Sequence, residues 1–190
     1  MFDTRLYRKF KRGPQVIMLK DAAFISAFTG LAPGDKVLDC GGGSGFLTVY
    51  LASLVGKEGK VITYEKRDDF AEIVRKNVEK AGFQDRVELK VHDIFQGIED
   101  KEFDLITLDF AESEKALVFA KDALKETGFV VGYLPNVEQA KAFVLEGEKL
   151  GLKHIMTSET IMREMLIREK GCRPETKGLF HTGYLTFLKK

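Results

Sequence analysis

Cysteine is scarce in this chain: only Cys40 and Cys172 occur among 190 residues. Two thiols do not make a disulfide framework, so stability must come from a buried core. Long apolar runs are also missing. The longest cover a few residues, too few to cross a bilayer, and no apolar stretch follows the basic N-terminus as a secretory signal would need. A cytoplasmic protein with no membrane partner is expected. Histidine is limited to His92, His154 and His181, far apart and without zinc-ligand spacing, so no metal is expected. The net charge of +1 announces no nucleic-acid partner by itself. Repeats, low-complexity tracts and interdomain linkers are lacking, and one domain over residues 1–190 is the expectation.

Apolar residues at 44% and charged residues at 31% give an ordinary balance, enough to bury a real core at this length. The charge is unevenly spread. Arg5, Arg8, Lys9, Lys11 and Arg12 crowd the first dozen residues, interleaved with Phe2, Tyr7 and Phe10. Cations mixed with aromatics suit phosphates and stacked bases, although a solvated, frayed terminus is an equal reading.

Periodicity supplies the architecture. A helical pattern runs from Lys20 to Gly30 with Asp21 near its cap, and Lys36 to Asp39 reads as the first strand. Helices from Phe46 to Gly56 and from about Asp69 to Gly82 alternate with strands Val61 to Tyr64 and Val87 to Val91. Strand Phe103 to Leu108, helix Ala116 to Leu124, strand Gly128 to Leu134 and a helix from Asn136 to Gly151 follow. His154 to Met165 and Gly183 to Leu188 are strand-like, joined by a polar loop holding Arg173 and Pro174. Such alternation predicts a doubly wound α/β sheet, Rossmann-like and mostly parallel, with an antiparallel closing strand.

The most informative stretch is Asp39, Cys40 and the run Gly41, Gly42, Gly43, Ser44, Gly45, followed by Glu65. Glycines let a backbone approach a ligand closely. An acid at the tip of the next strand is placed to accept hydrogen bonds from a ribose. The spacing Gly41, Gly43, Gly45 departs from the usual dinucleotide fingerprint. Asp39 would repel a pyrophosphate but receive, directly or through water, a cationic amino-acid moiety. That charge balance favours S-adenosylmethionine, which carries an ammonium and a sulfonium. Four acids fall at strand ends: Asp39, Glu65, Asp93 and Asp109. One alone would be a turn or cap residue; four in series point to a shared crevice.

These motifs resemble the class I S-adenosylmethionine-dependent methyltransferases, and more closely the tRNA adenine-N1 methyltransferases that make 1-methyladenosine in the T-loop. Arg12 to Asp21 is similar to that family's segment ahead of the fold, and Gly41 to Gly45 to its cofactor loop. Tyr133 to Gln139 resembles its strand-five exit, and Arg173-Pro174 with His181 to Leu185 its closing strand. The resemblance implies that Gln15 and the Gly41, Gly43, Ser44 and Gly45 backbone flank the methionine half of the cofactor. It implies Glu65 on the ribose hydroxyls, Asp93 and the Ile94 backbone on the adenine edge, and Asp109 facing the target base. It further implies a tRNA partner and a homo-oligomer, a tetramer.

Two departures stand out. The family follows that last acid with a proline and a Pro-Trp pair, whereas this chain reads Asp109-Phe110-Ala111 and contains no tryptophan. Met18 stands where a pocket tyrosine is common. The family's small N-terminal RNA-binding domain is also expected to be absent, since only about a dozen residues precede the Arg12 motif. A compact small-molecule methyltransferase of the corrinoid-pathway kind is therefore the second reading. A non-catalytic partner subunit is a distant third, because such a subunit would lose cofactor residues that are present here.

Overall fold

The computed structural model describes residues 4–13 and 15–190; Phe2 and Pro14 lie outside them. A 3-10 helix, Thr4–Lys9, precedes α1 (Leu19–Thr29), which ends on Gly30 at a left-handed φ of 71°. Asp21 does not cap α1. Met18 holds the cap position without a side-chain bond, and Asp21 is fully buried in the first turn.

The α/β alternation then runs β1 (Lys36–Cys40), α2 (Phe46–Val55), β2 (Lys60–Glu65), α3 (Asp68–Ala81) and β3 (Val87–Val91). A short turn, Ile94–Gln96, leads to β4 (Phe103–Leu108), and another, Ser113–Ala116, to α4 (Leu117–Ala123). After β5 (Leu124–Leu134) come α5 (Val137–Lys149), β6 (Lys153–Ser158), the two-residue β7 (Met165–Leu166) and β8 (Arg173–Pro174), and β9 (Tyr184–Lys189). Seven strands form one sheet in the order β3-β2-β1-β4-β5-β9-β6. β1 to β5 are parallel, and β9 runs antiparallel to both its neighbours. The expected doubly wound sheet with an antiparallel closing strand is the observed fold.

Side-chain alternation along the strands separates two cores. Leu38, Ile62 and Ile106 pack with Ala120, Ala140 and Phe143 from the α4 and α5 side. Val37, Val61 and Leu105 pack with Ile25, Leu51 and Val55 from α1 and α2. Connections leave β1 in opposite directions, to β2 on one side and β4 on the other, which opens a crevice at the carboxyl ends of β1 and β4.

Several expectations need correction. Tyr7 and Phe10 are not a base-stacking surface. They are 8% and 6% exposed and contact the Phe46 ring, and the Tyr7 hydroxyl donates to the Phe46 carbonyl at 2.9 Å. Three-residue spacing puts both on one face where the chain winds at three residues per turn. The helix expected to reach Leu124 stops at Ala123, and β5 begins there, with a register shift opposite Phe103 and Leu105. The strand expected from His154 to Met165 breaks after Ser158, because Thr160 turns inward to receive the Lys20 ammonium on its carbonyl at 2.7 Å. Arg173 and Pro174, expected in a loop, pair with Met165 and Leu166.

Candidate cofactor and acceptor cleft

A cleft of about 510 Å³ lies over the carboxyl ends of the parallel strands. Glu65, Asp93 and Asp109 line it, together with Gln15, Gly41, Gly43 and Ile94. A small recess shares Gln15, Gly41, Gly43 and Asp109 with the cleft and adds Asp39 and Ser44. Three of the four strand-end acids therefore meet in the cleft. Asp39 does not reach it.

Position along β1 explains why. Asp39 shares strand parity with Val37, so its carboxylate points to the α2 side, where it is 2% exposed. Thr48 donates to one oxygen at 2.6 Å and Thr107 to the other at 2.8 Å. Burial pushes the Asp39 carboxyl up, the two hydroxyls partly offset this, and Glu65 adds to it.

The glycine loop is shaped by contact. Gly41 sits at φ 84°, and a Cβ there would fall 2.3 Å from the Asp109 carbonyl oxygen. No other residue fits so close to the β4 exit. Gly45, also left-handed at φ 74°, caps α2 against Val74 and lines neither cavity. The Gly43 amide donates to Glu65 at 2.9 Å and the Arg67 amide to its other oxygen at 3.1 Å, so the loop and the strand-two acid are one unit. Glu65 is 5% exposed. Asp93 accepts from the Phe95 amide at 3.1 Å, capping the short turn that sets Ile94 into the cleft wall. It is a cap and a cleft residue together.

Asp109 follows β4, its amide donating to the Cys40 carbonyl at 3.0 Å. Its carboxyl is pushed up to about 7, first by burial and second by Asp39. An acid so poised beside a cavity marks a functional candidate. Cys40 also lines the cleft, but burial pushes its thiol well up, against a nucleophilic role.

The loop tests what the cleft could hold. The Ser44 hydroxyl is buried and has no hydrogen-bond partner among the described residues, beside a backbone stripped of Cβ atoms. An unpaired buried hydroxyl is costly, and a polar ligand group in the recess would satisfy it. The recess, about 30 Å³, has room for one polar group of a ligand, and the adjoining cleft of about 510 Å³ for the rest of an amino-acid moiety and a nucleoside.

Other lining residues carried no periodicity signal. The Arg67 guanidinium lies 3.5 Å over the Phe70 ring at the cleft lip. Phe95 and Phe110 meet edge-on at 5.8 Å, so the Phe110 departure supplies an aromatic wall. Tyr133 donates to the Thr182 carbonyl at 2.7 Å, and burial pushes its hydroxyl up to about 12. Tyr133 and Gln139 both fall in the strand-five motif, which was their only sequence signal.

Comparison with known proteins places this arrangement. The family model described as tRNA methyltransferase complex GCD14 subunit matches residues 9–174. The chain belongs to that family. The tRNA (adenine(57)-N(1)/adenine(58)-N(1))-methyltransferase TrmI of Methanocaldococcus jannaschii is 38% identical, covering 100% of this chain and 76% of that protein. A tRNA (adenine(58)-N(1))-methyltransferase TrmI of Thermus thermophilus is 33% identical over 95% of this chain and 71% of its own length. Among solved structures, a Thermotoga maritima protein described as a SAM-dependent O-methyltransferase superposes with TM-score 0.92 at 31% identity, covering 97% of this chain and 69% of that one. The Aquifex aeolicus tRNA (m1A58) methyltransferase TrmI gives TM-score 0.85 at 27% identity, covering 95% and 72%. A Geobacter metallireducens protein described as precorrin-6y C5,15-methyltransferase, at 15% identity and TM-score 0.80, shares the fold alone.

Proposed function

We propose that this chain uses S-adenosylmethionine to methylate N1 of an adenine in the T-loop of tRNA. The observation that carries the reading is Asp109, common to the cleft and the recess and poised near neutrality. The names of the relatives supply the acceptor class.

The cofactor supplies an electrophilic methyl group on a sulfonium. Glu65 accepts from the ribose hydroxyls, and Asp93 with the Ile94 amide holds the adenine edge. Gln15, Ser44 and the Gly41 to Gly43 backbone take the methionine end. Asp39 acts from beneath: its buried carboxylate favours the cationic moiety and raises Asp109. Adenine N1 is a nucleophile in its neutral form, so catalysis is mainly alignment. Asp109 accepts from the target N6 group, aims N1 at the methyl and favours the cation that forms. A sulfonium held beside Asp109 would favour its ionised form.

The same reading takes the protein to be a cytoplasmic homotetramer. Ile161, Met165 and Ile167, at 63%, 53% and 75% exposed, offer an apolar surface that a second copy would cover. Among the described residues, no helix is long and apolar enough to cross a membrane.

The test is nucleoside analysis of tRNA incubated with protein and cofactor. 1-Methyladenosine is expected. Methyl transfer to a small-molecule extract in place of tRNA would overturn the acceptor assignment.

A further inference from the structure

A second pocket, of about 410 Å³, lies on the far side of the segment that carries Gln15. Gln15, Val16 and Ile17 line the recess beside Asp109, and Val16, Ile17 and Met18 line this pocket, so one short segment walls both. The leading segment closes one side of it and residues 162–180 close the other. Buried Tyr7 and Phe46 form its floor, and its accessible walls are the Met18 and Met162 thioethers and the Phe180 ring, the last at 48% exposure.

The charge around it is mostly positive. The Arg12 guanidinium lies 5.6 Å from the Phe46 ring centroid, and Arg163 and Lys177 come from the other side. Glu164 and Glu175 also line the pocket, and one Glu175 oxygen is taken by the Thr176 amide at 2.6 Å. The Lys20 ammonium is occupied by Asp21, Thr160 and Thr182. From Arg12 the positive charge continues along Arg8, Lys9 and Lys11, all exposed. No Asp or Glu occurs between Thr4 and Lys20. Among the described residues none of these four cations forms an ion pair. Burial of Tyr7 and Phe10 anchors the segment that carries them.

Flat aromatic and thioether walls accept any base by its face, and unpaired cations beside them accept phosphates. Resting on the RNA reading above, we propose that this pocket is a second nucleotide site. It holds one unpaired base of the RNA near the base presented to Asp109, with the adjoining phosphates along Arg12, Lys11, Lys9 and Arg8. The charge complementarity favours RNA over a second copy of the chain as the occupant.

Fluorescence anisotropy with labelled tRNA, over a series of salt concentrations, tests this. Phe180→Ala is expected to weaken RNA binding about tenfold, the loss of one stacking platform, and Phe180→Tyr to restore it. Lys11→Gln/Arg12→Gln is expected to make the salt slope shallower by about 1 to 2, for two lost phosphate contacts. Cofactor affinity by calorimetry and assembly mass by light scattering should stay at wild-type values in all variants. If wild type binds tRNA and either the Phe180→Ala or the double variant binds it identically, this inference fails alone. If Phe180→Ala changes the assembly mass and not RNA affinity, the pocket seats a second copy and the inference fails. If wild type does not bind tRNA, the RNA reading fails and takes this inference with it.

Discussion

The strand-end crevice and the arm of residues 159–183 meet at Tyr133, yet they are held by opposite means. Backbone geometry and apolar burial shape the crevice: Gly41 fits under Asp109 because it has no Cβ, and Leu38, Ile62 and Ile106 beneath it are fully buried. The arm has one two-residue strand pair and exposes Ile161 and Ile167. What ties it down is polar. Lys20 donates to Asp21 at 2.8 Å and to Thr182 at 2.7 Å, and Thr182 donates to Asp21 at 2.9 Å. His181 bridges Glu159 and the Pro135 carbonyl at the cleft edge. The crevice is thus built to stay fixed, whereas the arm can loosen while the sheet beneath it holds.

The largest effect should come from removing the arm's buried anchor. Asp21→Ala leaves the Lys20 ammonium, 13% exposed, without its carboxylate. The expected loss is about 3–5 kcal/mol in denaturant unfolding, with early protease cuts in residues 159–183. An arm as resistant as wild type would erase the contrast.

Asp109→Asn addresses the crevice. Turnover should fall about 10²- to 10³-fold with cofactor affinity little changed, as for loss of a group that acts in the transition state. The pH profile sharpens this. With the Asp109 carboxyl raised to about 7, the free protein holds it neutral below that value. If the carboxylate is the working form, kcat/KM rises with pH through about 7. A cofactor cation beside Asp109 would favour its ionised form, so the kcat limb is expected at lower pH than the kcat/KM limb. For stability the sign is opposite: this group's contribution is full below the ordinary carboxylate range and is lost as pH rises through about 7.

Glu65→Gln should weaken cofactor binding by about 1.5–3 kcal/mol in calorimetry, because a charged acceptor becomes neutral. Arm proteolysis should not change.

The smallest effect concerns His181, raised by Glu159 first and the Pro135 carbonyl second. Its protonated bridge is complete below the ordinary histidine range and is lost as pH rises through the folded value. Wild type should therefore cut slightly faster in the arm at alkaline pH than at acid pH. His181→Gln should remove that difference.

How much was legible in the sequence follows the same division. β3 and β4 fall where the apolar runs predict, and Glu65, Asp93 and Asp109 meet because strand ends on one edge of a parallel sheet must converge. Asp39 lines the recess rather than the main cleft because it lies one residue before the end of β1, with the parity of Val37, which aims it at Thr48 and Thr107. The arm was not legible: Thr160 and Thr182 find Lys20 across 140 and 162 positions, and local pattern carries no trace of such pairing. Tyr7 and Phe10 read as solvent aromatics because their cations dominate the composition, although their three-residue spacing held the correct signal.

Primer extension across tRNA that has been incubated with the protein and cofactor tests the central claim most directly, because a methyl on adenine N1 blocks base pairing and halts the polymerase. The account predicts one strong stop at an adenine of the T-loop, absent with Asp109→Asn. Full-length extension from tRNA that has nonetheless taken up methyl groups would contradict it.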